Sequence, residues 1–544
     1  MTITETRDLP APEAWRYAEV PGFEVLSNAS DGATNRMLKD FQRFRRMLEI
    51  AWPGAVADAR PSSLILCGRG NKFADFAPAK PSAAAPEVSL YLHDGERSAI
   101  VLDLQASVVT ASADSTLTVP GQGIFQSGVA VDHVRQLQRE YVRFLLARSR
   151  FRPPPWLVEG FTQLVLDIEF TDRWIICGKL PKTQPPGGTG ATGGDDFDAE
   201  AEVGDLPFNA ALQMRALMPL EKFFAIQADN PVVRDSLGQS LWAKQAYAFV
   251  HLCLYRADGK LKEPFAHFIQ RVQTEPVDEK LFTECFGMSY RQMEDELRGY
   301  ITFTQYKYQT TRLDKEARIK ATDTVLRDAT EAEIGRIKGD AQKLAGRPRD
   351  ALLSYRVAYA RGQPDPALLA ALGAEEAQSG ESARARTFLE AAAKLGSDRP
   401  SAYLALARLR LDEARQKPAE GTRLSAAQTI AVLDPLFKAR SLKPALLGTY
   451  QTMATAWMLS SVVPTAAHIQ VLEEGVVRFP SDTDLSWNTA QLYVQAGAAQ
   501  SAANVARLGL RAAPDDATRK RFETLLASLP AAPAIAAPAA GAPP

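Results

Sequence analysis

The chain has 544 residues, of which 46% are hydrophobic and 23% are charged, and its formal net charge at pH 7 is −1. This composition is typical of a globular protein of roughly two to four domains, and the near-neutral charge gives no indication of nucleic acid as a partner. No apolar run approaches the ~20 residues that a membrane-spanning helix needs, so we expect no membrane span. The first residues carry no apolar signal segment, but a trimmed chain would look the same, so the compartment stays open.

The first part of the chain combines strands with one clear helix. We expect residues 1–14 to be flexible and a domain to begin at residue 15. The segment FQRFRRMLEIAW, residues 41–52, has apolar residues at helical spacing. The segments SSLILCG, VSLYLHD and SAIVLDLQASVV are short, rich in β-branched residues and bounded by turn residues, which predicts three strands.

Residues 131–304 have mostly helical spacing. A segment rich in Gly, Pro and Asp interrupts them at about residues 181–203, and because such a segment cannot pack into a core we expect it to be disordered. The cysteines lie far apart and form no CxxC pair, which excludes a zinc ribbon and a thioredoxin-like motif. We expect all four to be free thiols: Cys67, Cys177, Cys253 and Cys285.

Helical segments repeat in the alanine-rich region from about residue 316 to residue 528. Pro366 and Pro400 are 34 residues apart, and so are Pro480 and Pro514. Small residues recur at matching places between these prolines, and this pattern resembles the tetratricopeptide repeat, in which each unit is a pair of helices. A helical bundle with alanine-rich faces is the alternative.

The stretch LQREYVRFLLARSRFRPPPWLVEGFTQLV, residues 137–165, has the layout of a zinc peptidase core. In such a core two neutral histidines at positions i and i+4 of a helix bind the metal, and the glutamate after the first histidine polarises the bound water. Here the five positions read REYVR, so that Arg139 and Arg143 stand in place of the histidines and Glu140 in place of the general base. Glu159 follows in the segment WLVEG.

The order of these segments, together with PPWLVEG and the later QAYAFVH, resembles the peptidase-MA-like gluzincins. The resemblance is strongest to a bacterial family of unknown function that carries C-terminal tetratricopeptide repeats. It covers roughly residues 15–305, and WLVEG is its most specific motif. The resemblance implies an α+β metallopeptidase-type domain in which Glu159 is the third zinc ligand. It also implies an oxyanion-stabilising tyrosine, and Ala243 stands at that position here.

Both zinc histidines of that pattern are missing. Arginine does not lose its proton in a protein and cannot bind zinc, and one glutamate does not hold the metal alone. We therefore expect no metal and no cofactor. His133 lies six residues before Arg139, on a different face of the helix, and His251 is expected to be structural. The other histidines are His93, His267 and His468.

An arginine pair suits a site that has lost its metal. Two carboxylates that face each other in a partly buried cleft are costly without a cation, and guanidinium groups supply positive charge and donors that match carboxylates. We therefore predict that Arg139 and Arg143 pair with Glu159 and with Glu140. If one guanidinium is left over, the cleft would hold an anionic group such as a peptide carboxylate.

The alternative is an ordinary amphipathic helix. Arg135, Arg139 and Arg143 form a basic stripe on the helix predicted between residues 131 and 148. The opposite, apolar stripe consists of Val134, Leu137, Tyr141, Phe144 and Leu145. A helix with a solvated arginine face would have the same sequence, and its arginines would point into solvent, far from Glu159.

The sequence thus predicts an α+β gluzincin-like metallopeptidase-type domain at residues 15–310. An all-α tetratricopeptide-like solenoid at residues 316–528 and a disordered Ala/Pro tail at residues 529–544 follow it. The predicted function is that of a catalytically inactive pseudo-metallopeptidase that binds a protein or peptide partner through its repeats. An active zinc-dependent peptidase with a non-standard site is the alternative. The oligomeric state stays open.

Overall fold

The computed structural model describes residues 9–54, 61–79, 87–110, 128–148, 153–180, 207–213, 215–234, 237–303, 305–362, 364–416 and 423–530. The expected disordered insert lies outside these residues, as do residues 1–8 and 531–544 of the two expected flexible ends. The chain divides into two compact units, of which the first spans Pro10–Ala351 and the second begins at Leu352.

The first unit contains a mixed β-sheet. The described strands are β1 (Arg16–Val20), β2 (Phe23–Ser27), β3 (Ser62–Cys67), β4 (Ser89–His93), β5 (Ser98–Asp103), β6 (Val108–Thr110), β7 (Gly128–Ala130), β8 (Glu169–Phe170), β9 (Trp174–Cys177), β10 (Gln309–Arg312) and β11 (Arg327–Asp328). Six of them form one sheet in the order β11–β1–β2–β3–β5–β4. Strands β2, β3 and β5 are parallel, whereas β4 is antiparallel to β5 and lies at the edge. The three strands predicted from the sequence are confirmed as β3, β4 and β5.

The described α-helices are α1 (Asp31–Ala51), α2 (His133–Ala147), α3 (Pro155–Leu166), α4 (Phe208–Leu212), α5 (Leu220–Ala225), α6 (Leu241–Tyr255), α7 (Lys262–Arg271), α8 (Glu279–Phe286), α9 (Tyr290–Ile301), α10 (Glu331–Leu344), α11 (Pro348–Ala360), α12 (Pro366–Gln378), α13 (Ser382–Lys394), α14 (Pro400–Gln416), α15 (Ala426–Ser441), α16 (Leu447–Leu459), α17 (Ala466–Arg478), α18 (Thr483–Gln495), α19 (Ala499–Arg511) and α20 (Asp516–Ser528). None of these helices is long and apolar enough to cross a bilayer.

Helices α1 and α2 cover one face of the sheet. Phe41 and Phe44 of α1 pack with Leu137, Tyr141 and Phe144 of α2 in a core that includes strand residues of the sheet. The apolar stripe predicted on α2 therefore faces the sheet. Because α2 buries this stripe, its arginine-bearing face is turned toward the next helical layer, where α3 packs against it.

Helix α10 covers the other face of the sheet, and this corrects one predicted boundary. We expected the repeats to begin at residue 316, but Ile337 and Ala341 of α10 pack in the core of the first unit. Arg336 also donates to Glu24 at 2.7 Å, and Lys338 donates to Glu13 at 2.8 Å. A helical, alanine-containing sequence does not specify which neighbour its apolar face will meet, so the prediction placed α10 in the wrong unit.

Helices α3 and α6 pack closely in the helical part of the first unit. A Cβ atom added to Gly160, the last residue of WLVEG, would lie 2.4 Å from the carbonyl oxygen of Ala246 on α6. Glycine therefore allows the two helix backbones to approach at this point. Around this contact the core is rich in aromatic residues, with Trp156 packed against Phe224 and Phe249.

The second unit is all-helical and tetratricopeptide-like. Pro366 and Pro400 begin α12 and α14, so the predicted step of 34 residues marks the start of successive helix pairs. Ala385 and Ala392 of α13 are completely buried, which lets the paired helices approach each other. The predicted repeat architecture is confirmed for this unit, but it begins later than the sequence suggested.

Candidate functional site

The candidate site is formed by α2 and α3. Asp132 caps α2 by accepting a hydrogen bond from the backbone N–H of Arg135, and α3 begins with Pro155 in its first turn. Helix α2 presents Arg139, Glu140 and Arg143 within little more than one turn. Helix α3 presents Glu159 and, one turn later, Gln163.

Arg139 and Glu159 form a buried ion pair. Nη2 of Arg139 donates to Oε1 of Glu159 at 2.7 Å and to Oε2 at 2.6 Å. The two side chains are only 2% and 4% exposed. Burial by itself would raise the pKa of Glu159, but the neighbouring guanidinium groups of Arg139 and Arg143 outweigh it and hold the pKa below its usual value. The predicted contact between Arg139 and Glu159 is therefore present, although one nitrogen serves both oxygens.

Arg143 lies between the two carboxylates of the site. Its Nη1 donates to Oε1 of Glu140 at 3.3 Å, and its Nη2 lies 3.5 Å from Oε2 of Glu159. Glu140 also accepts a hydrogen bond of 2.8 Å from the hydroxyl of Ser89 on the edge strand β4. Two guanidinium groups and two carboxylates thus meet between α2 and α3.

The loop before α6 covers the buried ion pair. Gly238 has a backbone φ of +65°, and a Cβ atom added there would lie 2.5 Å from Nη1 of Arg139 and 2.8 Å from Oε1 of Glu159. Gln163 donates to both sides of this contact, at 2.8 Å to Oε1 of Glu159 and at 2.9 Å to the carbonyl oxygen of Gly238. A residue without a side chain is required where the loop touches the pair.

The arginines of the basic stripe of α2 pair with protein groups, and of the three only Arg139 is fully buried, since Arg135 and Arg143 are 27% and 20% exposed. Nη2 of Arg135 donates to Asp167 at 2.8 Å, and its Nη1 donates to the backbone carbonyl of Leu166 at 3.1 Å, at the end of α3. All three arginines of the stripe therefore contact α3 or the carboxylates beside it. The alternative of a solvent-exposed arginine face is wrong for Arg139, which is 2% exposed.

His251 has a structural environment. Its Nε2 donates to the carbonyl oxygen of Gly178 at 2.9 Å, which leaves Nδ1 to accept from the hydroxyl of Tyr300 at 2.8 Å. Burial lowers its pKa to about 4. Among the described residues, no three histidine, cysteine, aspartate or glutamate side chains converge as a metal-binding group. The donor set around Glu159 does not fit a zinc ion, because the side chains that contact its carboxylate are the guanidinium groups of Arg139 and Arg143 and the amide of Gln163.

Two contributors to the site were not predicted from the sequence. Ser89 and Gly238 are far from α2 in sequence, and no local motif marks them. Gln163, in contrast, follows Glu159 by four residues, and this spacing places both side chains on one face of α3. The buried Ala243 lies on α6, in the first turn after Ser240 caps the helix.

No protein-family model matches the chain, and no functionally curated protein matches it. Solved structures do resemble part of it. The tetratricopeptide protein TTC0263 of Thermus thermophilus is 18% identical, covers 36% of this chain and 97% of its own, and gives a TM-score of 0.26. MamA is 16% identical, with coverages of 37% and 98% and a TM-score of 0.26. YrrB, described as a TPR protein with an unusual peptide-binding site, is 12% identical, with coverages of 35% and 90% and a TM-score of 0.28.

Proposed function

We propose that this chain is a catalytically inactive metallopeptidase-like protein that binds a protein or peptide partner through its helical repeats. The observation that carries the first part is the buried contact between Arg139 and Glu159, with both hydrogen bonds shorter than 2.8 Å. A permanent cation at this place compensates the carboxylate as a metal would. It cannot activate a water molecule, because a guanidinium has no vacant coordination position and does not lose its proton.

Each residue of the site has a proposed role in this replacement. Arg139 neutralises Glu159, and Gln163 fixes the orientation of that carboxylate through a hydrogen bond of 2.8 Å. Arg143 balances Glu140 and also approaches Glu159. The formal charges of these two positive and two negative side chains sum to zero, so the cluster needs no further ion.

The proposed binding role rests on the second unit. Stacked helix pairs place side chains of successive helices on one continuous surface, which suits recognition of an extended peptide or a helix. In this unit Arg356 of α11 pairs with Glu376 of α12 through two hydrogen bonds of 2.7 and 2.9 Å. Such contacts join successive helices into a continuous scaffold.

The inactive state is tested by metal analysis and a peptidase assay on the purified full chain. Mass spectrometry after dialysis is expected to find no stoichiometric zinc, and a mixed peptide library is expected to remain intact with added zinc. The opposite result would be about one zinc per chain and hydrolysis of the library, both of which are lost when a chelator is added. That result would establish the alternative, an active peptidase with a non-standard site.

The binding role is tested by competition. The full chain is immobilised to capture a partner, which is then purified and offered to a fragment of residues 347–530. This fragment begins before α11 and omits α10, whose apolar face belongs to the first unit. Circular dichroism first checks that the fragment is helical. The folded fragment should displace the full chain from the partner, and failure to compete would assign the partner to another surface.

A further inference from the structure

The helices of the second unit form two rows that differ in packing. In the part of this unit that the structure describes, α14 packs against α16 and α16 against α18, whereas α15, α17 and α19 approach one another less closely. In a curved stack of helix pairs the more closely packed row lies on the inner side. A Cβ atom on Gly448 of α16 would lie 2.6 Å from Nη2 of Arg408 on α14, and the side-chain nitrogen of Gln495 on α18 lies 4.0 Å from the sulfur of Met458 on α16. The solvent-facing sides of these three helices therefore form one continuous surface.

The inner helices α16 and α18 carry almost no charge. Helix α16 contains no Asp, Glu, Lys or Arg residue, and α18 contains only Asp484, which pairs with Arg521 at 3.3 Å. Each of the outer helices α13, α15, α17 and α19, in contrast, contains at least two charged residues. We call the solvent-facing side of α16 and α18 the uncharged band. Its half-buried or exposed residues are Gln451, Thr455, Met458, Asn488, Gln491, Val494 and Gln495.

The amide groups of the uncharged band are within reach of a ligand. Asn488 and Gln491 are half-buried, and their side chains make no hydrogen bond with any residue that the structure describes. Their amide atoms are accessible to solvent, since they are absent from the buried atoms that lack a partner. An amide offers two donors and one acceptor, which match the groups of a peptide backbone. The helical rise separates Asn488 from Gln495 by ~10 Å, about the length of three residues of an extended chain.

The absence of charge limits what the uncharged band binds. A charged group placed on it would lose hydration without meeting a counter-charge, which is unfavourable. An extended, uncharged polypeptide segment loses little hydration of this kind, and its backbone carbonyls accept hydrogen bonds from side-chain amides. The band therefore fits an uncharged extended segment better than an acidic or a basic one.

The last residues of the sequence have this composition. Residues 531–544 read AAPAIAAPAAGAPP and contain no charged side chain. They follow α20, whose Phe522 packs on Trp487 of α18 with ring centroids 5.6 Å apart, so they begin at the end of the helix that neighbours the uncharged band. In the polyproline conformation a segment of this length spans ~43 Å, several times the ~8–10 Å between packed helices. Its prolines supply carbonyl acceptors without backbone donors, which suits the NH₂ groups of side-chain amides.

We propose that residues 531–544 dock as an extended segment on the uncharged band of their own chain. The amides of Asn488 and Gln491 donate to backbone carbonyl oxygens of this segment. The covalent connection raises its local concentration to the millimolar range, so contacts that are too weak to hold a free peptide are sufficient. The docked segment covers the inner side of α16 and α18 and competes there with any other polypeptide. This inference goes beyond the proposed function and does not depend on it.

The test follows the cleavage of residues 531–544 by elastase, which cuts after alanine, in the folded full chain. Mass spectrometry measures the rate at which the C-terminal fragments are lost. Because a docked segment is not cut, this rate reports the undocked population. The N488A/Q491A variant removes both amides without changing the charge, and alanine is favourable in a helix. We expect it to lose the segment at least ~5-fold faster than the wild type.

Two single variants complete the comparison. Gln491→Glu places a charge on the uncharged band and should also accelerate cleavage. Gln500→Ala removes an exposed amide from the outer helix α19 and should leave the rate unchanged. Circular dichroism checks that every variant has the helical content of the wild type, and if the double variant is misfolded Gln491→Glu decides.

Three results would overturn the proposal. One is an equal rate of cleavage in the wild type and in N488A/Q491A, which would leave the uncharged band free for a separate polypeptide. Another is an equal acceleration by Gln500→Ala. The third is a protection that increases with protein concentration, because it would assign the band to residues 531–544 of a second copy.

Discussion

Replacing Arg139 with methionine would remove the cation from the buried pair while keeping most of the side-chain volume. Glu159 would then remain 3% exposed without its two shortest hydrogen bonds. Removing one partner of a buried ion pair typically costs ~3–5 kcal/mol. We expect a value near the lower limit, ~3 kcal/mol, because Gln163 and Arg143 still contact the stranded carboxylate.

The dependence of stability on pH provides a second, independent test of this prediction. In the wild type the pKa of Glu159 is lowered, so its contribution to stability is present above its unfolded pKa and is lost as pH falls. In Arg139→Met the nearest cation is gone, and burial then favours the protonated carboxyl. The pKa of Glu159 should move upward in the variant, so the destabilisation should be larger at pH 7 than at pH 4.

Hydrogen exchange followed by mass spectrometry is the suitable assay, because a chain of two compact units need not unfold in one step. Peptides from α2 and α3 report the free energy of opening of this site alone. Combining Arg139→Met with Glu159→Met should restore most of the lost stability, since an apolar pair leaves no stranded charge. Arg256→Met, followed on peptides from the end of α6, is the control, because Arg256 is 28% exposed and its partners Asp258 and Glu296 are 33% and 43% exposed.

Two results would refute this reasoning. One is an Arg139→Met variant that is destabilised no more than Arg256→Met. The other is a double variant that is no more stable than the single one. Either result would mean that the buried pair does not supply the countercharge for Glu159, and the proposed replacement of a metal would lose its physical basis.

Three further predictions concern the same unit. Gly238→Ala should destabilise the first unit by ~1–3 kcal/mol more than Gly259→Ala in chemical denaturation. Both glycines have φ of +65°, but only Gly238 lies against the ion pair. Equal effects would mean that backbone strain alone is responsible. The R139H/R143H variant introduces two imidazoles at i and i+4 and should retain about one zinc per chain by mass spectrometry, without peptidase activity. A metal-free variant would show that the site is not arranged for zinc. His251 has a pKa lowered to about 4, so its neutral form stabilises the fold above pH 6.5. Between pH 7 and pH 4.5 the free energy of unfolding of the wild type should fall by about 2–3 kcal/mol more than that of His251→Gln. Parallel pH profiles of the two proteins would contradict this prediction.

Local sequence patterns were sufficient for the elements and for part of the site. The spacing of Arg139 and Arg143 places them on one face of a helix. The apolar stripe of α2 lies on the opposite face, and this apolar face has to be buried. Short β-branched segments became β3, β4 and β5, and prolines 34 residues apart marked the starts of α12 and α14. These features depend on backbone geometry and on contacts between residues that are close in the chain.

Whether the arginines of α2 face solvent or α3 could not be decided from the stripe alone. Both arrangements satisfy the same periodicity, and only the packing of α2 between the sheet and α3 buries Arg139. In the same way, α10 has a helix-forming sequence that would suit a repeat. It belongs to the first unit because Ile337 meets the sheet and Arg336 meets Glu24.

The surroundings of the ion pair were decided by tertiary structure. Ser89 reaches Glu140 from a strand 51 residues earlier in the chain. Gly238 touches Arg139 and Glu159 from a loop that also accepts a hydrogen bond from Gln163 across 75 residues. A single sequence carries the pattern that places residues on one face of a helix, because neighbours along the chain share a backbone geometry. It carries no comparable signal for a serine or a glycine that arrives from elsewhere, because such a contact exists only after the sheet, the helices and the loop have packed together.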